Sequence, residues 1–145
     1  MLSSNFIVEQ PSSEKDFEIY YALRYEVLRK PFNEALQIDE SNKTSIHAFV
    51  RENDVAVACG RLLFMDENTS QIKSMAVREE YRGKGLGKKI IAHLENISKQ
   101  NNRQHIILHS RENAIDFYKK CGFAVKEKSY LMWGKIQHFL MEKNL

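Results

Sequence analysis

The amino-acid sequence predicts a mixed α/β domain, in which hairpin strands and a strand–helix–strand unit share one sheet. Short segments rich in β-branched and aromatic residues alternate with helical patterns along the chain. A glycine-rich turn joins one of these strand-like segments directly to an amphipathic helix. The chain has 145 residues and 43% apolar content, which is enough for a buried core. We therefore predict that residues 1–145 form a single domain.

The first third of the chain predicts a short strand, a capped helix and a polar segment. Residues 6–9 are apolar and predict a first strand. Ser13 is followed three residues later by Asp16, which is typical of a helix start, and apolar residues at helical spacing follow. Pro31 ends this helix, because proline lacks the N–H that an α-helix interior requires. Residues 32–45 are polar and mixed, and predict a loop or short helix that lines a substrate site.

The middle third predicts a hairpin, a third strand and a long helix. Residues 46–51 and 55–65 are strand-like on either side of an Asn-Asp turn, so they predict a hairpin. Gly60 interrupts the second of these runs and predicts a β-bulge. Residues 71–77 predict the next strand. The amphipathic helix that follows the glycine-rich turn is expected to extend to about Gln100.

The last third predicts a strand, a short helix and a closing hairpin. Residues 105–109 are strand-like, and residues 113–120 have a helical pattern. Gly122 stands where a glycine commonly follows a helix end. Residues 123–128 and 136–142 predict the two final strands.

The glycine-rich turn, residues 82–87 with the sequence RGKGLG, predicts an anion cradle. Glycine lets backbone N–H groups approach a ligand closely, and the start of a helix adds unpaired donors and the positive end of its dipole. Lys88 and Lys89 add full positive charges beside those on Arg82 and Lys84. The pattern therefore predicts a phosphate ligand, and a diphosphate in particular.

The spacing of the glycines separates this turn from two other phosphate-binding motifs. A dinucleotide-binding fold has G-x-G-x-x-G, whereas this chain has G-x-G-x-G. A Walker loop requires four residues between its first Gly and the Gly-Lys-Ser/Thr, and here three separate Gly83 from Gly87. The form R-x-x-G-x-G at a helix start does match. In this respect the chain resembles the GCN5-related N-acetyltransferase family (GNAT), whose loop of this form binds the pyrophosphate of acetyl-CoA.

A second segment carries the same resemblance. Residues 114–123, AIDFYKKCGF, are similar to the family's A-I-x-x-Y-x-x-x-G-F segment. Together the two landmarks extend the resemblance over roughly residues 46–142. The resemblance implies an acyl-CoA N-acyltransferase fold whose sheet splays after the strand at residues 71–77, so that the pantetheine arm of the cofactor lies in the gap.

Other segments resemble the ElaA/YjcF-like branch of that family. They are residues 23–28 (LRYEVL), the acidic residues 39–40, His47 at a strand start, and residues 136–141 (IQHFLM).

The resemblance also implies which residues bind acetyl-CoA. They are Met75, Ala76, Val77, Arg82, Gly83, Lys84, Gly85, Leu86, Gly87 and Lys88. Many family members place a cofactor-contacting Asn seven residues before the tyrosine of the second segment. This chain has Arg111 there, with Asn113 nearby but out of register, and either residue could replace that contact.

Tyr118 is the predicted catalytic residue. An unperturbed phenol has a pKa of about 10 and can protonate the thiolate that leaves when an amine attacks a thioester. Helical spacing alone would instead suggest a buried core aromatic, and the resemblance favours the catalytic role. Backbone N–H groups near Val77 are expected to polarise the thioester carbonyl. The general base is left open among Glu80, Asp39, Glu40, His47, His138 and water.

The composition limits the classes of function. A net charge of +3 is too small for a general nucleic-acid binder, and no apolar run approaches the ~18 residues of a membrane helix. Cys59 and Cys121 form no CxxC pair and no secretory signal is visible, so we expect reduced thiols and a cytoplasmic location. The five histidines lack metal-binding spacing, so we expect no metal site.

We therefore expect an acetyltransferase that uses acetyl-CoA as co-substrate. The acetyl group would pass directly to a primary amine of an unidentified small molecule or protein. A non-catalytic acyl-CoA-binding regulatory module is the alternative. The expected partners are acetyl-CoA and the amine acceptor, without nucleic acid or membrane, and a homodimer is left open.

Overall fold

The computed structural model describes residues 6–38 and 40–145, with the side chain of residue 40 left out. The α-helices are α1 (Glu14–Leu28), α2 (Glu40–Thr44), α3 (Leu86–Gln100) and α4 (Ile115–Lys120). The strands are β1 (Ile46–Glu52), β2 (Val55–Phe64), β3 (Thr69–Val77), β4 (His105–Arg111), β5 (Ala124–Met132) and β6 (Ile136–Asn144). Among the described residues, short 3₁₀ turns occupy Lys30–Phe32, Glu79–Tyr81 and Glu112–Ala114.

The strands form a six-stranded mixed sheet in the order β1-β2-β3-β4-β6-β5. Only the central pair, β3 and β4, runs parallel, and α3 provides the crossover between these two strands. The other neighbouring pairs are antiparallel. This arrangement confirms the mixed α/β fold class predicted from the sequence.

The sheet splays at its centre. β3 and β4 pair only over residues 69–72 and 105–108, although β3 continues to Val77 and β4 to Arg111. β4 instead stays paired with β6 as far as Arg111 and His138. The carboxyl ends of the two parallel strands therefore separate and leave a gap, which is where ligands usually bind in α/β sheets.

A β-bulge near the gap confirms the expectation for Gly60. The pairing of β2 with β3 shifts between Cys59 and Arg61, so that two β3 residues, Ser74 and Met75, lie opposite Gly60. Ser74 takes a left-handed conformation with φ of 58°. A Cβ atom on Gly60 would lie 2.5 Å from Met75 Sδ, so only glycine allows this close packing.

Two hydrophobic clusters hold the helices on the sheet. One packs the apolar face of α3 against buried strand residues that include Ile106, Leu108 and Met141. The other packs α1 through Ile19 and Leu23. The amphipathic pattern that predicts α3 thus corresponds to a helix whose one face is buried.

Some predicted boundaries were wrong. Residues 6–9 form no strand but a single bridge, in which the N–H of Glu9 donates to the oxygen of Phe49 at 2.9 Å and the reverse bond measures 2.8 Å. Pro11 has no N–H with which to continue a ladder. The helix predicted from residue 113 begins at Ile115, after a 3₁₀ turn. β5 extends beyond its predicted end to Met132, because its last residues form a short apolar run without the alternation that marks a half-buried strand.

Candidate functional site

The start of α3 lacks the side-chain caps that satisfy the start of α1. Ser13 and Asp16 form a capping box on α1. Within the described residues, no side chain caps α3, and its first turn contains no acidic residue. The first helical bond of α3 runs from the N–H of Lys89 to the oxygen of Gly85 at 3.1 Å, so earlier N–H groups have no acceptor within the helix. These donors remain open to an anionic ligand.

Two glycines shape the approach to these donors. Gly83 and Gly85 both have φ of 80°, a conformation that side chains other than glycine rarely adopt. A Cβ atom on either would meet no described atom within 4 Å, so the glycines face open space. The backbone around α3 is therefore accessible to a ligand at van der Waals distance.

Gly87 serves a different purpose. A Cβ atom there would lie 2.9 Å from Cζ of Phe117, a residue of α4. The third glycine of the motif therefore allows α3 and α4 to pack closely. Phe117 also lines the adjoining cleft, and the sequence had not singled out this residue for the site.

The cofactor cleft, as we name the larger cavity, has a volume of about 650 Å³ and extends from the cradle to α4. Most residues predicted to bind the cofactor line this cavity, namely Met75, Ala76, Val77, Arg82, Gly83, Gly85, Leu86, Gly87 and Lys88. Lys84 is not among the lining residues. Val27 and Leu28 at the end of α1 complete the wall, and sequence analysis missed both. The lining is cationic at Arg82 and Lys88 and largely apolar elsewhere. Such a lining suits a ligand in which an anionic group is joined to an extended chain.

The acceptor cleft, as we name the second cavity, has a volume of about 310 Å³. Its lining residues come from strands β2 to β6, from the end of α1 and the segment after it, and from α4 with the turn that precedes it. It shares five lining residues with the cofactor cleft, which are Leu28, Met75, Arg111, Ala114 and Tyr118. The two cavities therefore meet at the gap between β3 and β4.

Tyr118 lies where the two clefts meet. Its side chain is buried and makes edge-to-face contacts with Phe117 and Phe123 at centroid distances of 5.0 and 6.1 Å. Burial raises the pKa of the Tyr118 phenol. The phenol therefore keeps its proton at neutral pH, as a general acid must.

His138 is the only predicted base whose described side chain lines the acceptor cleft. Its Nδ1 lies 3.0 Å from the carbonyl oxygen of Ile136, which can only accept, so Nδ1 carries the hydrogen. Burial lowers the pKa of His138 and thereby favours the neutral ring, whose Nε2 is then a proton acceptor. The ring also stacks on Tyr130 at a centroid distance of 4.5 Å, which fixes its orientation.

The other predicted bases lie elsewhere or outside the described structure. His47 has Nδ1 2.6 Å from the Tyr20 hydroxyl and Nε2 2.8 Å from the Asn42 oxygen, so both ring nitrogens are engaged. Glu80 is exposed and lies in neither cleft. The predictions for Asp39 and for the Glu40 side chain fall outside the described residues.

Arg111 and Asn113 both line the cofactor cleft, and Arg111 also lines the acceptor cleft. Arg111 donates from Nη2 to the carbonyl oxygen of Leu28 at 3.0 Å, and its guanidinium lies 5.0 Å from the Phe32 ring centroid. The residue thus joins β4 to the end of α1. Either residue is positioned to contact a ligand at this point.

Neither cysteine is in a disulfide, and the thiol of Cys59 donates to the oxygen of Ser74 at 3.4 Å. Across residues 6–38 and 40–145, no group of three or more His, Cys, Asp and Glu could hold a metal ion. No helix in the same part of the chain is long and apolar enough to cross a membrane.

The splayed sheet, the uncapped helix and the tyrosine at the gap define an acyl-CoA N-acyltransferase fold. The structure is similar to that of Escherichia coli ElaA, with a TM-score of 0.83 and 23% identity, covering 96% of this chain and 99% of that one. It is also similar to a GNAT family acetyltransferase from Elizabethkingia anophelis with acetyl-CoA bound, with a TM-score of 0.77 and 15% identity, covering 97% and 99%.

The sequence defines the family more closely. The profile of the acetyltransferase (GNAT) family matches residues 11–123, and the chain belongs to this family. It is 30% identical over 135 residues to the uncharacterized N-acetyltransferase YjcF of Bacillus subtilis strain 168, covering 91% of this chain and 95% of that relative. The resemblance to the ElaA/YjcF-like branch therefore agrees with these comparisons.

Proposed function

We propose that this protein is an acetyl-CoA-dependent N-acetyltransferase that transfers the acetyl group directly to a primary amine. The observation that carries the proposal is the meeting of two clefts at Tyr118, one leading from an uncapped helix start and the other from the opposite side of the gap. Direct transfer requires both substrates to be bound at once on either side of the reacting atoms. Two joined clefts suit that requirement.

The cradle would hold the pyrophosphate of acetyl-CoA. Backbone N–H groups at the start of α3 would donate to its oxygens, with Arg82 and Lys88 supplying charge. Lys89 donates to the oxygen of Phe6 at 3.1 Å, so this lysine also supports the segment behind the cradle. The presence of acetyl-CoA in the similar Elizabethkingia anophelis structure supports this assignment.

Acetyl-CoA would supply an acetyl thioester, whose carbonyl carbon the amine attacks. Strand geometry directs alternate N–H groups of β3 away from β2, and beyond residue 72 they have no β4 partner. Such groups near Val77 would donate to the carbonyl oxygen as negative charge develops there. The carbon–nitrogen bond forms, and the carbon–sulfur bond breaks.

Two side chains would move the protons. Nε2 of neutral His138 would take a proton from the amine, directly or through one water. The Tyr118 hydroxyl would give its proton to the departing sulfur. Both groups are buried, and burial favours in each the protonation state that its role requires.

The test measures binding and turnover together. We expect acetyl-CoA to bind at about micromolar affinity, or roughly −8 kcal/mol, and to raise the melting temperature far more than ATP or NADH does. Thiol release from acetyl-CoA should then depend on at least one amine in a broad panel. Equal stabilisation by ATP would contradict the cofactor assignment. Binding of acetyl-CoA without turnover on any amine would instead support a non-catalytic acyl-CoA-binding module.

A further inference from the structure

The described lining of the acceptor cleft contains the guanidinium groups of Arg29 and Arg111. Arg61 and Lys73 also line the cleft and already interact with other residues. No aspartate or glutamate is among the described residues that line the cleft. Like charges gathered in a partly buried cavity repel one another, so the cavity favours an anion.

Arg29 is held at this cleft by contacts that leave its charge unneutralised. Its guanidinium lies 5.0 Å from the Trp133 ring centroid, and Nη1 contacts Met132 Sδ at 3.8 Å. Nε is buried and has no hydrogen-bond partner among the described residues. Glu34 contributes an attractive charge nearby but is 3.9 Å from Lys135, and no described carboxylate forms an ion pair with Arg29 itself.

The Arg111 guanidinium likewise forms no ion pair with a described carboxylate. It donates to the carbonyl oxygen of Leu28, which carries no full charge, and stacks on Phe32. Burial, and after it repulsion from Arg29, lowers the pKa of the Arg111 guanidinium. A desolvated cation without an anionic partner costs free energy that a bound anion would recover. Both arginines also offer the fork of donors that binds carboxylate or phosphate oxygens in pairs.

Building on the N-acetyltransferase function, we propose that the acceptor is a small amine that also carries a carboxylate or a phosphate. Arg29 and Arg111 would bind this anionic group in the acceptor cleft, with the amine directed toward Tyr118. A cavity of about 310 Å³ suits a small molecule. The two arginines would disfavour polyamines and aminoglycosides as acceptors, because they would repel the additional positive charges of these molecules.

A matched series of amines tests the preference. β-Alanine, O-phosphoethanolamine, ethanolamine and ethylenediamine share a 2-aminoethyl group and differ in the charge of the other end. They are assayed by thiol release, within a panel that also contains amino acids, phosphorylated amines, polyamines and aminoglycosides. We expect kcat/KM for the anionic members to exceed that for the neutral and cationic members by at least about tenfold. The first two compounds distinguish carboxylate from phosphate.

The outcomes separate this inference from the function on which it rests. A panel in which polyamines, aminoglycosides or neutral amines are the best substrates contradicts the anionic acceptor and leaves the N-acetyltransferase function standing. A panel in which no amine of any charge is acetylated contradicts the N-acetyltransferase function, and the acceptor assignment with it.

Substitutions of Arg29 test whether this residue binds the anionic group of the acceptor. Arg29→Gln should raise KM for the best anionic acceptor at least about tenfold and leave KM for acetyl-CoA unchanged. The ratio of kcat/KM for that acceptor to kcat/KM for ethanolamine should therefore fall. Arg29→Lys should restore part of that preference. Arg103→Gln is the matched control, because Arg103 contacts the backbone of Asp66 and Asn101 and lines neither cleft. An Arg29→Gln enzyme with unchanged selectivity would contradict the role of Arg29.

Discussion

Tyr118 is defined by its position between two cavities as much as by its hydroxyl. Its sequence neighbours predict an amphipathic helix, on which a tyrosine would ordinarily serve as a core aromatic. The structure does bury the ring against Phe117 and Phe123, and it also places the residue on the lining of both clefts. The packing and the proposed chemistry are therefore compatible in one residue.

The Tyr118→Phe variant separates these two contributions. It removes the hydroxyl and keeps the ring, so the melting temperature and the KM for acetyl-CoA should change little. We expect kcat to fall by about 10²–10⁴-fold, the usual range for losing a general acid. Single-turnover measurement excludes masking by slow product release. Tyr21→Phe, on a ring that lines neither cleft, is the control, and unchanged single-turnover chemistry in Tyr118→Phe would remove the residue from the mechanism.

His138 predicts a particular pH dependence. The base must be neutral, so activity is present above the pKa of the folded protein and is lost as pH falls through it. Burial lowers the pKa of His138, so this loss of kcat/KM should occur below about pH 6.5, the ordinary histidine value.

The His138→Asn variant tests that assignment, because the asparagine amide can still donate toward the oxygen of Ile136. We expect kcat/KM to fall by about 10²–10⁴-fold and the acidic limb of the profile to disappear. His93→Asn is the control, since burial also lowers the pKa of His93 although that residue lines neither cleft. An acidic limb that persists in His138→Asn would assign the base to another group.

At the scale of single elements, the boundaries of a helix or strand are predicted best from the sequence where one face of that element is buried. α3 follows its amphipathic pattern to Gln100 as expected, because its leucine and isoleucine residues pack in the core beneath the helix. β5 is exposed along most of its length, so its last residues carry no alternation that would mark them. In residues 6–9, Phe6 enters the core while Ile7 is exposed, and the segment forms only one bridge to β1.

The start of α3 makes a prediction about its glycines. Gly85→Ala adds a methyl group into open space at a backbone φ of 80°, which costs about 1–2 kcal/mol of stability. The methyl group should also obstruct the approach of the pyrophosphate to the backbone N–H groups and weaken acetyl-CoA binding by about 10–100-fold. This loss corresponds to about 1.5–3 kcal/mol, the usual contribution of a hydrogen bond to a charged group. Isothermal titration calorimetry measures this change.

Gly134→Ala is a close control for Gly85→Ala. Gly134 has φ of 67° in the β5–β6 turn and also faces open space, so its substitution carries a similar backbone cost. It should leave the affinity for acetyl-CoA unchanged. If Gly85→Ala binds acetyl-CoA as tightly as Gly134→Ala does, the start of α3 is not the pyrophosphate site.

At the scale of the whole molecule, the two clefts differ in how far a sequence can predict them. The cofactor cleft is built mainly from one continuous segment, residues 75–88, so spacing and resemblance pointed to its members. The acceptor cleft gathers Arg29, Arg61, Lys73, Arg111 and His138, which are far apart in the chain and meet only in the folded sheet. No local pattern marks such a set.

The same reasoning explains why the base could not be chosen from the sequence. Histidines 47 and 138 each stand in a strand and look equivalent in the sequence. The fold gives both ring nitrogens of His47 hydrogen-bond partners and directs His138 to the acceptor cleft. Only the tertiary contacts distinguish a structural histidine from a candidate base.

Direct acetyl transfer between the two clefts is most directly tested by following the acetyl group itself. The protein is mixed with acetyl-CoA alone and then with acetyl-CoA and its best amine, and mass spectrometry records the protein, CoA and the amine at each stage. We predict an unmodified protein in both mixtures, and equimolar CoA and N-acetylated amine only when the amine is present. An acetylated protein that forms without the amine and then loses its acetyl group to the amine would contradict direct transfer.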